Sequence, residues 1–134
     1  MDKKELMSFA RAARERAHSP YSRVTVGAAL LCADGKIFTG ANIENSSYGA
    51  TVCAERVALF TAIHSGERGF EAIAISGGAA GEVGKCGFYP CGICRQVLSE
   101  FCKSDFKVIL EDEDGDRILT LGELLPYSFG KDLL

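Results

Sequence analysis

Two helix-forming runs in this chain begin with cysteine, and that pairing constrains the fold more than any other feature. Cys91-Gly92-Ile93-Cys94 is a C-x-x-C preceded by Pro90, and Cys53-Ala54-Glu55 opens an earlier apolar run. On a helix, positions i and i+3 share a face, so Cys91 and Cys94 can reach one metal ion. A lone C-x-x-C is equally the signature of a redox dithiol. With Cys53 at a second helix start, two N-termini can point at one spot, where partial positive charge and free N–H groups favour thiolate. Three thiolates leave one position of a tetrahedral Zn²⁺ open, the pattern of a catalytic centre. A closed structural centre needs a fourth ligand, and Cys86, five residues before Cys91, is the candidate. Cys32, inside an apolar run, and Cys102, at a helix end, read as packing residues.

The rest of the chain must bring positions 53 and 91 together. Residues 2–17 read as a helix, with Leu6, Phe9, Ala10, Ala13 and Ala17 on one stripe, stopped by Ser19-Pro20. Residues 24–33 and 37–40 are β-rich runs joined by Asp34-Gly35, a two-residue hairpin signal. Residues 52–64 predict a buried helix ended by Gly66, 70–76 a buried strand and 77–87 a loop. Residues 91–102 predict a helix with Ile93, Val97, Leu98 and Phe101 on its apolar stripe. Strands follow at 106–110 and 117–121 around Asp114-Gly115, then a helical turn at 122–125 before Pro126. No self-similarity divides the chain into repeats. The order α, β, β, α, β, α, β, β predicts one domain over 1–134: a three-layer α/β/α sandwich on a mixed sheet of about five strands. The second and third helices would each complete a βαβ-type unit.

Composition narrows the function. With 47% hydrophobic and 25% charged residues the chain matches an ordinary soluble domain. No stretch approaches the ~20 apolar residues of a membrane span. Met1-Asp2-Lys3-Lys4-Glu5 lacks the apolar run of a secretory signal, so a cytoplasmic location with reduced thiols is expected. A net charge of −3 and a pI near 5.4 argue against a nucleic-acid polymer as partner.

Glu55 stands two residues after Cys53. As a first-turn acid it interacts favourably with the helix dipole. Beside a metal-activated water, whose pKa falls to about 7, it is a proton carrier. The second role requires Cys53 at the cap and Glu55 in the first turn, because i and i+2 do not share a helix face. Three thiolates give Zn²⁺ a net charge of −1; a cation donating to sulfur offsets this, and Arg56 and Arg95 are candidates as well as ordinary surface arginines. Gly40-Ala41-Asn42-Ile43-Glu44-Asn45 is either a plain loop or a set of groups for ligand hydroxyls. Residues 79–86 lack the Gly and Ser/Thr of a phosphate loop. Residues 111–116 lack the spacing of a calcium loop and read as a solvated hairpin. His64, eleven residues beyond Cys53, stands roughly 16 Å along the helix, too far for a Cys–His pair. His18 reads as a helix-end residue.

Cys53-Ala54-Glu55 with Pro90-Cys91-Gly92-Ile93-Cys94 resembles the [HC]-x-E…P-C-x-x-C signature of zinc nucleobase deaminases. Four longer runs, Pro20-Tyr21-Ser22, Val26-Gly27-Ala28-Ala29-Leu30, Gly40-Ala41-Asn42-Ile43-Glu44-Asn45 and Cys91-Gly92-Ile93-Cys94-Arg95-Gln96, extend the likeness over nearly the whole chain. Together they resemble the small homotetrameric cytidine deaminase family. Cys rather than His at 53 points to that branch and away from transfer-RNA and polynucleotide deaminases. The resemblance implies hydrolytic deamination of cytidine and 2'-deoxycytidine in pyrimidine salvage. It implies one Zn²⁺ on Cys53, Cys91 and Cys94, Glu55 as the proton carrier and Arg56 offsetting the thiolate charge. It implies base recognition by the main chain near Ala54 and ribose contacts from Asn42 and Glu44. In a homotetramer, neighbouring subunits would complete the site through Phe129, in Leu124-Leu125-Pro126-Tyr127-Ser128-Phe129, and through Tyr48. One position departs from the pattern: Val24 stands where the family usually has a Phe that packs on the pyrimidine. A roomier pocket is expected, with weaker cytidine binding or room for a bulkier base. Two other readings are a deaminase of a modified, blasticidin-type aminonucleoside, and a non-catalytic zinc protein closed by Cys86.

Overall fold

Helix α1 (Lys3–Ala13) starts at an Asp2 cap, whose carboxylate accepts the Lys4 N–H at 3.3 Å. The computed structural model describes residues 2–134. Leu6, Met7, Ala10 and Ala13 form the buried stripe, whereas Phe9 is 41% exposed. The predicted helix to 17 tightens into a 3-10 turn at Arg14–Arg16. The cause is Arg14, a buried guanidinium that leaves the helix surface to bond the sheet. Its Nε donates to Thr25 O and Oγ1, both at 3.1 Å, and its Nη2 to Ala79 O at 3.1 Å.

Strands β1 (Val24–Cys32) and β2 (Ile37–Ala41) form the expected hairpin. Gly35 supplies the φ of 90° and the Asp34 carboxylate accepts the Lys36 N–H. Next come α2 (Ala54–His64), β3 (Phe70–Ala79), α3 (Gly92–Phe101), β4 (Lys107–Asp112), β5 (Gly115–Thr120) and the short α4 (Leu121–Leu124). The sheet order is β2-β1-β3-β4-β5; β3 and β4 are parallel and the other neighbours antiparallel. Thus β3-α3-β4 is a βαβ unit of adjacent strands. The unit around α2 is split, because β1 lies between β2 and β3.

Side-chain alternation sorts the core into two layers. Ala29, Leu31, Ala72, Ala74 and Ile109 face α1; Ala28, Leu30, Ile73, Ile75, Val108 and Leu110 face α2 and α3. This is the three-layer α/β/α sandwich. Three expectations change. Strand β3 runs on through Gly77 and Gly78 to Ala79, pairing with Val26, Thr25 and Val24. Helix α3 buries Cys94 and Leu98, while Ile93 is 62% exposed and Phe101 lies at the surface. Of the expected stripe, Leu98 and Val97 pack into the core beside Cys94, while Ile93 and Phe101 face outward. His18 is not at a helix end; it bridges to Ile43 through backbone hydrogen bonds with Asn42 and Glu44. Among the described residues no helix is long and apolar enough to cross a membrane.

Candidate active site

Helix α2 lies almost directly on β2. A Cβ at Gly40 would stand 2.5 Å from Ala58 N and 2.6 Å from Ala54 O, so only glycine permits this approach. The start of α2 is therefore placed by sheet backbone. Cys53 is its N-cap residue, with extended φ −73° and ψ 155°, and Glu55 falls in the first turn. Cys91 is the N-cap residue of α3, where its Sγ accepts the Cys94 N–H at 3.5 Å. The two N-termini meet: Cys53 Sγ is 3.6 Å from Cys91 Sγ, and all three sulfurs lie within 4.8 Å of one another.

Two sulfurs about 2.3 Å from one tetrahedral zinc stand about 3.8 Å apart, so this donor set fits the metal. Cys86 lies in the exposed loop before α3 and is not part of the cluster. Arg56 Nη2 donates to Cys53 Sγ at 3.6 Å, and its Nε is buried without a partner among the described residues. A hydrogen bond from the Cys94 thiol, helped by Arg56 and Cys91 against the effect of burial, brings the Cys53 pKa down to about 5. The same shared bond, with burial, raises that of Cys94. Burial alone would lower the Arg56 pKa, but its bonds to the Cys53 and Cys94 sulfurs outweigh this and raise it. Arg95 turns away from the sulfurs: Nε donates to Pro90 O at 2.7 Å and Nη1 to Leu124 O at 2.8 Å. It braces the segment before Cys91 against α4.

Glu55 is only 4% exposed, and burial pushes its pKa up to about 7, with the Cys53 charge adding. It borders a cavity of about 180 Å³ together with Cys53, Cys91, Ala54, Asn42 and Val26. Wider clefts elsewhere are lined by none of the three thiols. Asn42 bridges the start of β1, accepting from Val26 N and donating to Val24 O, each at 2.9 Å. Glu44 lies in an adjoining cleft with Tyr21, Ser22 and Tyr48; Thr51 lines both spaces. Its carboxylate accepts from the Ser22 hydroxyl and from the Ser22 and Tyr21 N–H groups, which lowers its pKa. Tyr48 meets Tyr21 edge-on, centroids 5.8 Å apart.

Val24 does not line the cavity; Val26, one pleat further along β1, does. Phe129 is likewise outside it in the single chain, exposed, with its carbonyl held by Gln96 Nε2 at 2.9 Å. Sequence reasoning missed Phe88, Tyr89, Ile75 and Thr51, which all border the cavity. The available signal for Phe88 was an aromatic two residues before a P-C-x-x-C.

Three convergent thiols at two helix N-termini form a donor set that could hold one metal ion, and a buried carboxyl lies on the cavity that two of them border. Residues 1–110 match the family described as the cytidine and deoxycytidylate deaminase zinc-binding region. The cytidine deaminase of Halalkalibacterium halodurans is 50% identical over 130 residues, covering 96% of this chain and 95% of that protein. That of Sporosarcina psychrophila is 46% identical over 133 residues, covering 98% and 94%. The crystal structure of cytidine deaminase from Burkholderia pseudomallei superposes with a TM-score of 0.86 at 45% identity, covering 96% of this chain and 100% of that one. This chain belongs to the cytidine and deoxycytidylate deaminase family.

Proposed function

We propose that this chain catalyses zinc-dependent hydrolytic deamination of cytidine and 2'-deoxycytidine, giving the corresponding uridines and ammonia. The observation that carries the reading is the cluster of Cys53, Cys91 and Cys94, with the Cys53 and Cys91 sulfurs 3.6 Å apart and both bordering one cavity with Glu55. Cys53, Cys91 and Cys94 would hold one Zn²⁺, and the chemistry it would supply is a Lewis acid that lowers the pKa of a water to near 7. Glu55 takes a proton from the attacking water as the water oxygen bonds to C4, and passes it to ring N3. It then takes the proton of the new C4 hydroxyl, which becomes the carbonyl, and gives it to the amino group, so that the C4–N bond breaks and ammonia leaves. Arg56 draws charge from the sulfurs through its bond to Cys53. The Ala54 main chain, in the first turn of α2, faces the base edge. Asn42 and Glu44 are the ribose ligands.

The whole chain acts as a single domain in a homotetramer. Tyr48 and Phe129, both exposed in the single chain, are the residues that would reach neighbouring sites. The enzyme is placed in cytoplasmic pyrimidine salvage, with a free nucleoside as substrate. The test is zinc quantification on purified protein together with loss of the cytidine absorbance band on incubation. One zinc per chain with turnover is expected; stoichiometric zinc without turnover of either nucleoside contradicts the proposal.

A further inference from the structure

We propose that Phe88, seated flat on Gly77, is the aromatic wall against which the substrate base packs, and that this pair sets the size of base accepted; the inference rests on the deaminase reading above. A Cβ built on Gly77 would stand 2.3 Å from Phe88 Cδ1, 2.4 Å from Cγ and 2.8 Å from Cε1. No real Cβ approaches so closely, so the ring fills the space that a side chain at 77 would occupy. The segment carrying the ring is fixed from several sides. Lys85 N donates to Gly77 O at 2.9 Å, and Pro90 is buried with its carbonyl bonded to Arg95. Gly84 closes on the buried Ser76–Glu111 pair, whose hydrogen bond is 2.6 Å: a Cβ there would meet Ser76 Oγ at 2.8 Å. The ring is thus a rigid surface bordering the same cavity as Glu55, Cys53 and Cys91. Flat conjugated rings pack favourably on such a surface, offset or edge-on.

The sheet register extends the argument. Val26 pairs with Gly77, and Val24 with Ala79. Alternation places Val24 on the same face as Gly77, diagonally across the ladder and within reach of a large side chain. A larger residue at 24 would enter the space of the Phe88 ring. Positions 24 and 88 are therefore coupled, with Gly77 as the positioning residue beneath them.

The experiment is steady-state deamination of cytidine and 5-methylcytidine by the zinc-loaded enzyme and its Phe88→Ala, Phe88→Leu, Val24→Phe and Val24→Phe/Phe88→Ala variants. Zinc content and melting temperature are measured alongside. Phe88→Leu keeps apolar volume without the ring, and it carries the test if Phe88→Ala fails to fold. The expected result is a KM for cytidine raised about three- to tenfold in the Phe88 variants, with kcat and zinc content little changed. The efficiency ratio should shift toward 5-methylcytidine, and Val24→Phe should impair the native enzyme yet partly rescue Phe88→Ala. An unchanged KM in Phe88→Leu overturns the inference. So does a joint loss of zinc and kcat without a KM effect, which would make Phe88 structural only. Native zinc-loaded enzyme that leaves cytidine intact overturns the deaminase reading itself, and this inference with it; the native control alone separates the two failures.

Discussion

Glu55 and Arg56 sit side by side at the start of α2 and are expected to fail differently when replaced. Glu55→Gln keeps the shape of the side chain but cannot carry a proton, so zinc content should stay at the native level while kcat falls at least about a hundredfold. Zinc analysis and the cytidine assay on one preparation check this. Arg56→Gln removes the donor to Cys53 Sγ and should weaken zinc binding about 10–100-fold in a chelator competition. The thiols outside the cluster should separate by reactivity. Burial pushes Cys32 and Cys102 up to about 12, so both stay protonated and inert at neutral pH, whereas Cys86 is exposed. Mass-mapped alkylation of the zinc-loaded protein should label Cys86 first and Cys32 last. The thiols and Glu55 were legible in the sequence because their chemistry demands fixed residue types at short spacings. Phe88 was legible only as an aromatic ahead of Pro90-Cys91; that its ring settles on a glycine eleven residues earlier was not, because nothing local to a loop fixes such a contact.

Two glycines decide how helices meet the sheet, on opposite faces. A Cβ at Gly27 would stand 2.0 Å from Ala10 O and 2.8 Å from Arg14 N, under α1, while Gly40 lies under α2. Gly27→Ala and Gly40→Ala should each cost about 1–3 kcal/mol through overpacking, measured by urea unfolding. Only Gly40→Ala should also weaken zinc binding, because it lifts the turn that carries Cys53. Strands and helices were readable from period and from the two Asp-Gly turns, since apolar alternation and turn chemistry are local. The misreadings share a tertiary cause. Gly77 and Gly78 look like loop residues, yet they stay in β3 because β1 pairs with them and Phe88 covers Gly77. Ile93 looks like a core residue of α3, yet Cys94 takes the inward place beside the expected Leu98 where the thiols converge.

At the scale of the whole molecule, the proposed homotetramer predicts a solution mass about four times the 14.4 kDa of the chain, measured by light scattering. A monomer mass for fully active enzyme would contradict it. The chain order announced the layered fold, because β3-α3-β4 and the hairpin leave few ways to arrange five strands. The split unit around α2 was not legible, because hairpin β1–β2 decides which strand lies between β2 and β3 only after folding. Cys91 does two jobs in this architecture: its sulfur is a proposed metal ligand and also the acceptor that begins α3. Any substitution at Cys91 therefore acts twice, loosening the first turn of α3 and opening a corner of the thiol cluster.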